Sequence, residues 1–390
     1  MKTTLVLDAN QRSALAVTRS LGNKNITVFT ADEGNTALAG CSCHSKQFLT
    51  YPSPRLFPEY FVDALVNLIE EHHIDILLPM TELTATLVIK HRSAFPGVSL
   101  PMPELETIDS LADKCSLIRT AETLNIPVPG TRYCIPTEAS SLHPERLNYP
   151  VVLKPGKSWL CHEGQWYRAG VQTAYNSSEL VNIINSNLEF REYPYMIQEH
   201  IAGQGRGIFA LYNLGNPLIF FAHNRLREKP PSGGVSVLSE STSVDPLLLK
   251  HAHALLDKVN WHGIAMVEFK VADDGTPYLM EVNTRFWGSL QLAIDAGVDF
   301  PWLLYQLACG QQPDTIIDFK TGIRLRWVLG DIDNLYLTPR DSRYSFITKL
   351  NALRLFLTPS PFKTRHEVNR LNDIAPAWYE LKQYLRDILS

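Results

Sequence analysis

The chain has 390 residues, more than one ordinary hydrophobic core serves, so two or three domains are expected. Apolar residues make up 45% and charged residues 19%, with a formal net charge of -4, a globular composition with no cationic excess to suggest nucleic acid or an acidic membrane surface. Six cysteines in a chain this long do not make a disulfide framework, and no apolar run approaches the ~18 residues that span a bilayer.

Residues 3 to 8 read as a buried strand, and Asp8 interrupts that apolar run too early for a signal peptide, so a cytoplasmic location is expected. Residues 11 to 21 read as a helix with Ala14, Leu15, Val17, Thr18 and Leu21 on one stripe, and Ile26 to Thr30 as a second strand. Phe61 to Glu71 is helical, and Ile74 to Leu78 is a strand that ends at Pro79. Alternating strands and helices predict a parallel, doubly wound sheet. Its first turn, Asp8 to Ser13, lacks the G-x-G-x-x-G of a dinucleotide site, and Ser13 reads as a plain helix cap. Cys41, Cys43 and His44 lie close together but have no matching second ligand pair, so they read as a reduced loop.

Pro96 to Pro103 marks a boundary, and a helix is predicted over Ser110 to Leu124, broken by Asn125-Ile126-Pro127-Val128-Pro129-Gly130. Tyr149 to Pro155 is a short apolar strand that carries Lys154 near its end, and Tyr195 to Ile201 is another, followed by Gly203, Gly205 and Gly207. Leu211 to Ala222 gives two strands around Gly215-Asn216-Pro217. Arg225 to Ser236 reads as a basic, then Pro/Gly-rich loop able to close over an anion, and Pro246 to Val259 as a helix. Phe300 to Cys309 is helical, Thr321 to Leu329 is a strand, and the remainder reads as helices with a basic, proline-containing connector.

The most informative stretch joins Val267-Glu268-Phe269-Lys270 to Met280-Glu281-Val282-Asn283-Thr284-Arg285 through Asp273-Asp274-Gly275. Asp-Gly between apolar runs signals a hairpin. A two-residue turn at Asp274-Gly275 puts Glu268 directly opposite Glu281, whereas a three-residue bulged loop shifts the pairing by one. Carboxylates face to face repel, and a cation between them relieves the repulsion. Asn283 and Arg285 alternate onto the face of Glu281. One face therefore offers two carboxylates, an amide oxygen and a guanidinium, a set suited to hard metal ions and phosphate. No G-x-S-x-G nucleophile elbow and no G-x-x-x-x-G-K-[ST] phosphate loop is present.

In this order the segments resemble the ATP-grasp superfamily, from about Leu105 to Gly310. The resemblance rests on Asp113-Lys114, Ile126 to Pro129, Val151 to Pro155, Ile197 to Ile201 with Gly203, Val267 to Phe269, and Glu281 to Arg285. The last segments, with Gly297-Val298-Asp299 and Ala308-Cys309-Gly310, look nearest the biotin-carboxylase and carbamoyl-phosphate-synthase branch. It implies an α/β (α+β) architecture: a Rossmann-like parallel sheet domain over 1–104, ATP-grasp lobes over 105–195 and 196–312, and a strand and helical extension over 313–390. It also implies that Lys114 and Lys154 contact ATP phosphates. Gln198 to Ile201 would form the hinge, with Glu199 and the backbone of Ile201 meeting adenine. Glu268, Glu281 and Asn283 would hold Mg²⁺, with Mn²⁺ as a substitute. Arg285 would neutralise charge on the transferring phosphoryl group, with Arg225 and Arg227 assisting or binding a carboxylate. The family's glycine-rich lid is not matched in Lys157 to Trp166.

The expected activity is an ATP-dependent carboxylate–amine ligase that works through an acyl phosphate. Its expected partners are a small carboxylate and an amine, commonly an amino acid, with no nucleic acid or membrane and with a second copy of the chain as a candidate. The rivals are an enzyme of the same fold that activates bicarbonate or uses a thiol acceptor, and a non-catalytic ATP-binding regulator.

Overall fold

Parallel strands β1 (Thr4–Val6), β2 (Val28–Asp32), β3 (Gln47–Thr50) and β4 (Ile76–Leu78) open the chain in the order β3-β2-β1-β4. The structure is a computed structural model and describes residues 1–136, 143–231, 233–315, 318–341, 344–357 and 363–389. β1, β2 and β4 are buried throughout because both faces are covered: Leu5 belongs to one apolar cluster and Val6 to the other. The helices Arg12–Gly22 and Pro58–His72 fall where periodicity places them, and Glu82–Lys90 is an additional helix. The helix begins at Arg12, so Ser13 lies buried inside its first turn and does not cap it.

The second region carries β5 (Thr131–Cys134), β6 (Val151–Pro155), β7 (Trp159–His162), β8 (Gln165–Arg168), β9 (Gln172–Ala174) and β10 (Tyr195–Glu199). Four of them form an antiparallel sheet in the order β5-β10-β6-β9, while β7 and β8 make a separate hairpin. The helix expected over Ser110–Leu124 is two helices, Leu105–Ala112 and Lys114–Thr123. Asp113 breaks the run because its carboxylate accepts from the Ser116 N–H at 2.9 Å, capping the second helix. Lys114 is thereby delivered to a helix start beside Gly156, whose carbonyl accepts from the Lys114 N–H at 2.7 Å.

The third region is a seven-stranded sheet of β11 (Gln204–Asn213), β12 (Asn216–Lys229), β13 (Val235–Thr242), β14 (Gly263–Val271), β15 (Pro277–Asn283), β16 (Arg324–Arg326) and β17 (Thr364–His366), ordered β15-β14-β11-β12-β13-β16-β17. The loop expected from Arg225 is instead strand as far as Lys229, with register shifts around Arg227. β16 and β17, from the expected C-terminal extension, complete this sheet. Among the described residues no helix is long and apolar enough to cross a membrane.

The C-terminal segment is tied to the first helix by a buried ion pair. Arg19 Nε donates to Asp373 at 2.8 Å, and Asp373 also accepts from Ser42 Oγ at 2.7 Å and from the Cys43 N–H at 2.9 Å. Asp373→Ala leaves a buried guanidinium without its partner and is expected to cost roughly 3–5 kcal/mol, read by chemical denaturation, with the helix Ala375–Leu389 becoming sensitive to protease.

Candidate active site

Glu268 and Glu281 are directly opposed across β14 and β15. The route to that pairing differs from the symmetric turn. Ala272 N–H donates to Thr276 C=O at 3.0 Å and Gly275 N–H to Ala272 C=O at 2.9 Å, so Asp273, Asp274 and Gly275 form a three-residue loop with Gly275 at φ 87°. Alone, that loop would set Glu268 against Met280. Phe269 pairs with Leu279 while Glu268 pairs with Glu281, so Met280 is an extra residue, a β-bulge that restores the register. The bulge leaves Met280 and Glu281 both partly exposed, between buried Leu279 and Val282. The two carboxylates therefore face the cleft together, with Asn283 beside them: its Nδ2 donates to Glu281 Oε1 at 3.2 Å, and its amide oxygen has no hydrogen-bond partner among the described residues.

The opposite wall is cationic. Lys154, on β6, has its Nζ 4.0 Å from Met280 Sδ, and Lys114 Nζ donates to Ser158 Oγ at 3.0 Å. Burial pushes the Lys154 ammonium down to about 8, with Lys114 adding to the effect and Glu281 opposing it. Burial pushes Glu281 up, but Lys114, Arg225, Lys154 and the Asn283 amide outweigh it and hold this carboxyl below its usual range. Glu268 goes the other way: burial raises it, and Glu281 and Glu228 add to that against Arg225 and Lys154. One carboxylate is thus held charged, while burial favours the neutral form of its partner.

Arg225 pairs with Glu268 and donates to Glu228 Oε1 at 2.9 Å, and these carboxylates keep it firmly protonated despite burial. Its side chain crosses Gly205, where a Cβ would lie 3.1 Å from Arg225 Cδ. Arg227 is turned away from this cluster: its Nε and Nη2 each meet buried Asp331 at 2.6 Å, a carboxylate it shares with Arg326. Arg285 donates to the Phe286 carbonyl at 2.9 Å and lines a cavity with Leu78, Pro79 and Met102, outside the Glu268 contacts. Gln198 is buried, Glu199 is exposed with its N–H on the Gly130 carbonyl at 2.9 Å, and Ile201 lies just past β10. Gly203 at that junction has φ 154°, and a Cβ there would stand 2.2 Å from the Val271 carbonyl.

Two cleft residues escaped the sequence reading. Ser158 holds Lys114. Lys270 shares a face with Glu268 by strand alternation, acts electrostatically on both Lys154 and His200, and has no hydrogen-bond or ion-pair partner among the described residues. Its signal was available, since it stands two positions beyond Glu268.

Among the described residues no group of three or more His, Cys, Asp or Glu is gathered to hold a metal, the Cys41, Cys43 and His44 loop included. Glu268, Glu281 and the Asn283 oxygen do fit a hard divalent cation that draws its remaining ligands from phosphate and water, as Mg²⁺ does.

Residues 191–330 match a family model described as ATP-grasp in the biosynthetic pathway with Ter operon. A carbamoyl phosphate synthase large chain from Pyrobaculum aerophilum is 27% identical over 216 residues, 52% of this chain and 20% of that one. The chain spans about a fifth of the length of the curated relatives it matches. In fold it is similar to a biotin carboxylase from Campylobacter jejuni (TM-score 0.66, 15% identity, 83% of this chain and 74% of that one). It is similar also to an L-amino acid ligase from Bacillus licheniformis (TM-score 0.61, 17% identity, 79% and 74%).

The depressed Lys154 gives a pH test. If that ammonium holds a triphosphate, affinity for ATP is expected to fall about tenfold between pH 7 and pH 9 as the free protein loses this proton. Lys154→Arg should flatten the dependence, checked by titration calorimetry at both pH values.

Proposed function

We propose that this chain, whose residues 191–330 match an ATP-grasp family model and whose fold is similar to that of a biotin carboxylase, is an ATP-dependent carboxylate–amine ligase. The observation that carries the reading is the opposition of Glu268, Glu281 and Asn283 on one wall to Lys114 and Lys154 on the other. Such a cleft suits a triphosphate with its divalent cation.

A substrate carboxylate oxygen attacks the γ-phosphorus of ATP, the bond to the β–γ bridging oxygen breaks, and ADP leaves with an acyl phosphate formed. The amine then attacks the acyl carbon, phosphate departs with the C–O electron pair, the nitrogen gives up a proton, and an amide results. No enzyme nucleophile is required. Catalysis is positioning and charge neutralisation. Lys114 and Lys154 bind and orient the phosphates. Glu268, Glu281 and Asn283 hold Mg²⁺, which when bound neutralises phosphate charge. Arg225 and Arg285 are assigned to charge on the transferring group, whereas Arg227 is engaged by Asp331 and has no part in this reading. Gln198, Glu199 and the Ile201 backbone hold the base. The likeness to an L-amino acid ligase supports an amino acid as the amine.

The reading is tested by ADP and phosphate release across pairs of carboxylates and amino acids. Glu281→Gln keeps the side chain's shape but removes its charge, so release should drop by at least about a hundredfold with an unchanged circular dichroism spectrum. Near-normal turnover in that variant would overturn the metal assignment.

A further inference from the structure

The helix Phe346–Leu357 packs on the helix Val328–Arg340 with one side and turns a second apolar side outward. The inner side is fixed at Phe356: the Arg326 guanidinium lies 4.3 Å from its ring centroid, and Arg326 Nη2 donates to its carbonyl at 3.5 Å. At the helical period, Phe346, Leu350, Leu353 and Leu357 form a stripe about 60° wide that runs for about three turns. They are 80%, 55%, 43% and 66% exposed. Single apolar side chains on a surface are ordinary, but a continuous exposed row marks an interaction site.

The borders of the stripe are cationic. On the same projection Lys349 and Arg354 fall about 70° to either side of its centre. From residue 342 to 366 the sequence has five lysines and arginines and no aspartate or glutamate, although the whole chain has a formal net charge of -4. The balance over the whole chain therefore conceals a local reversal of sign. Arg326 also pairs with His366 on β17, so the end of the helix adjoins that edge strand, where Arg365 and the preceding Lys363 are exposed.

An apolar row between cations complements a phase that is apolar inside and anionic at its surface. A second copy of the helix is a poor match. It would set lysine and arginine against lysine and arginine, with no carboxylate between residues 345 and 357 to answer them. We infer that the helix Phe346–Leu357 docks along the surface of an anionic lipid bilayer. Phe346, Leu350, Leu353 and Leu357 enter the acyl boundary, and Lys349, Arg354, Lys363 and Arg365 meet the headgroups. The helix lies in the surface and does not span, since it has 12 residues against the ~20 that a bilayer requires. This goes beyond the ATP reading and does not rest on it, because none of these residues has a part in the cleft.

The experiment is co-sedimentation of the intact protein with vesicles of phosphatidylcholine alone and of an equimolar mixture with phosphatidylglycerol. The wild type is expected to bind the anionic vesicles at least about tenfold more tightly, since each lysine or arginine at such a surface adds roughly fivefold. Raising the salt should shrink that difference. Leu350→Glu with Leu353→Glu, both at exposed positions, should weaken binding at least about tenfold, while Lys349→Gln with Arg354→Gln should narrow the gap between the two vesicles. Both variants should keep the wild-type circular dichroism spectrum. A wild type that does not sediment with the anionic vesicles overturns the inference without needing any variant to fold. Equal binding to the two vesicles overturns the part given to the cations. If the wild type is a dimer by analytical ultracentrifugation and Leu350→Glu with Leu353→Glu makes it a monomer, the stripe is a subunit interface and the inference fails.

Discussion

Two carboxylates held face to face across β14 and β15 set the electrostatics of the whole cleft. Like charges directly opposite in an antiparallel pair are destabilising, and burial raises the cost because water cannot screen them. Arg225 meets Glu268, and Lys114 and Lys154 act electrostatically on Glu281 from the other wall. Each answer creates a further demand. Arg225 is itself desolvated and needs Glu228, while Lys154 is buried deeply enough that its ammonium is weakened. The result is a site whose two walls stabilise each other.

Holding the carboxylates there depends on two irregularities that cancel. A three-residue loop shifts the hairpin by one residue, and a bulge at Met280 shifts it back. Because side chains alternate across a strand, an uncorrected slip would turn Glu281 toward the apolar cluster that holds Leu279 and Val282. The bulge also sets the Met280 thioether, a soft and adaptable group, against the Lys154 ammonium. A regular hairpin could face the same glutamates, but it would not put Met280 on that wall.

Much of this was legible in the sequence because it rests on local rules. The Glu268–Glu281 pairing followed from Asp-Gly and from period two, although the register survives for a different reason than the symmetric turn supposed. The parallel sheet was visible in short apolar runs, but β3 was not, since its Gln47-Phe48-Leu49-Thr50 buries only Leu49. Asp113 as a helix cap was hidden inside an unbroken helical pattern, and with it the reason Lys114 reaches the cleft. Arg227 looked equivalent to Arg225 at a spacing of two. Only the tertiary position of Asp331, far along the chain, separates them. Lys270 needed no more than the alternation already applied to Glu268.

The stretch where the sequence departs from the glycine-rich lid finds a physical account in β7 and β8. Glu163 and Gly164 both take positive φ, at 50° and 80°, and close a tight hairpin. Trp159 and Trp166 pack on the larger core, and the Trp166 N–H donates to the Arg55 carbonyl, just before the helix Pro58–His72, at 3.1 Å. A glycine-rich loop can wrap phosphates with backbone amides, whereas a hairpin whose amides are paired to each other has few to offer. What the hairpin does offer is apolar packing, through Trp159 and Trp166. The cationic side chains of the cleft are Lys114, steadied by Ser158 at the root of the hairpin, Lys154, and Lys270, which has no hydrogen-bond or ion-pair partner among the described residues.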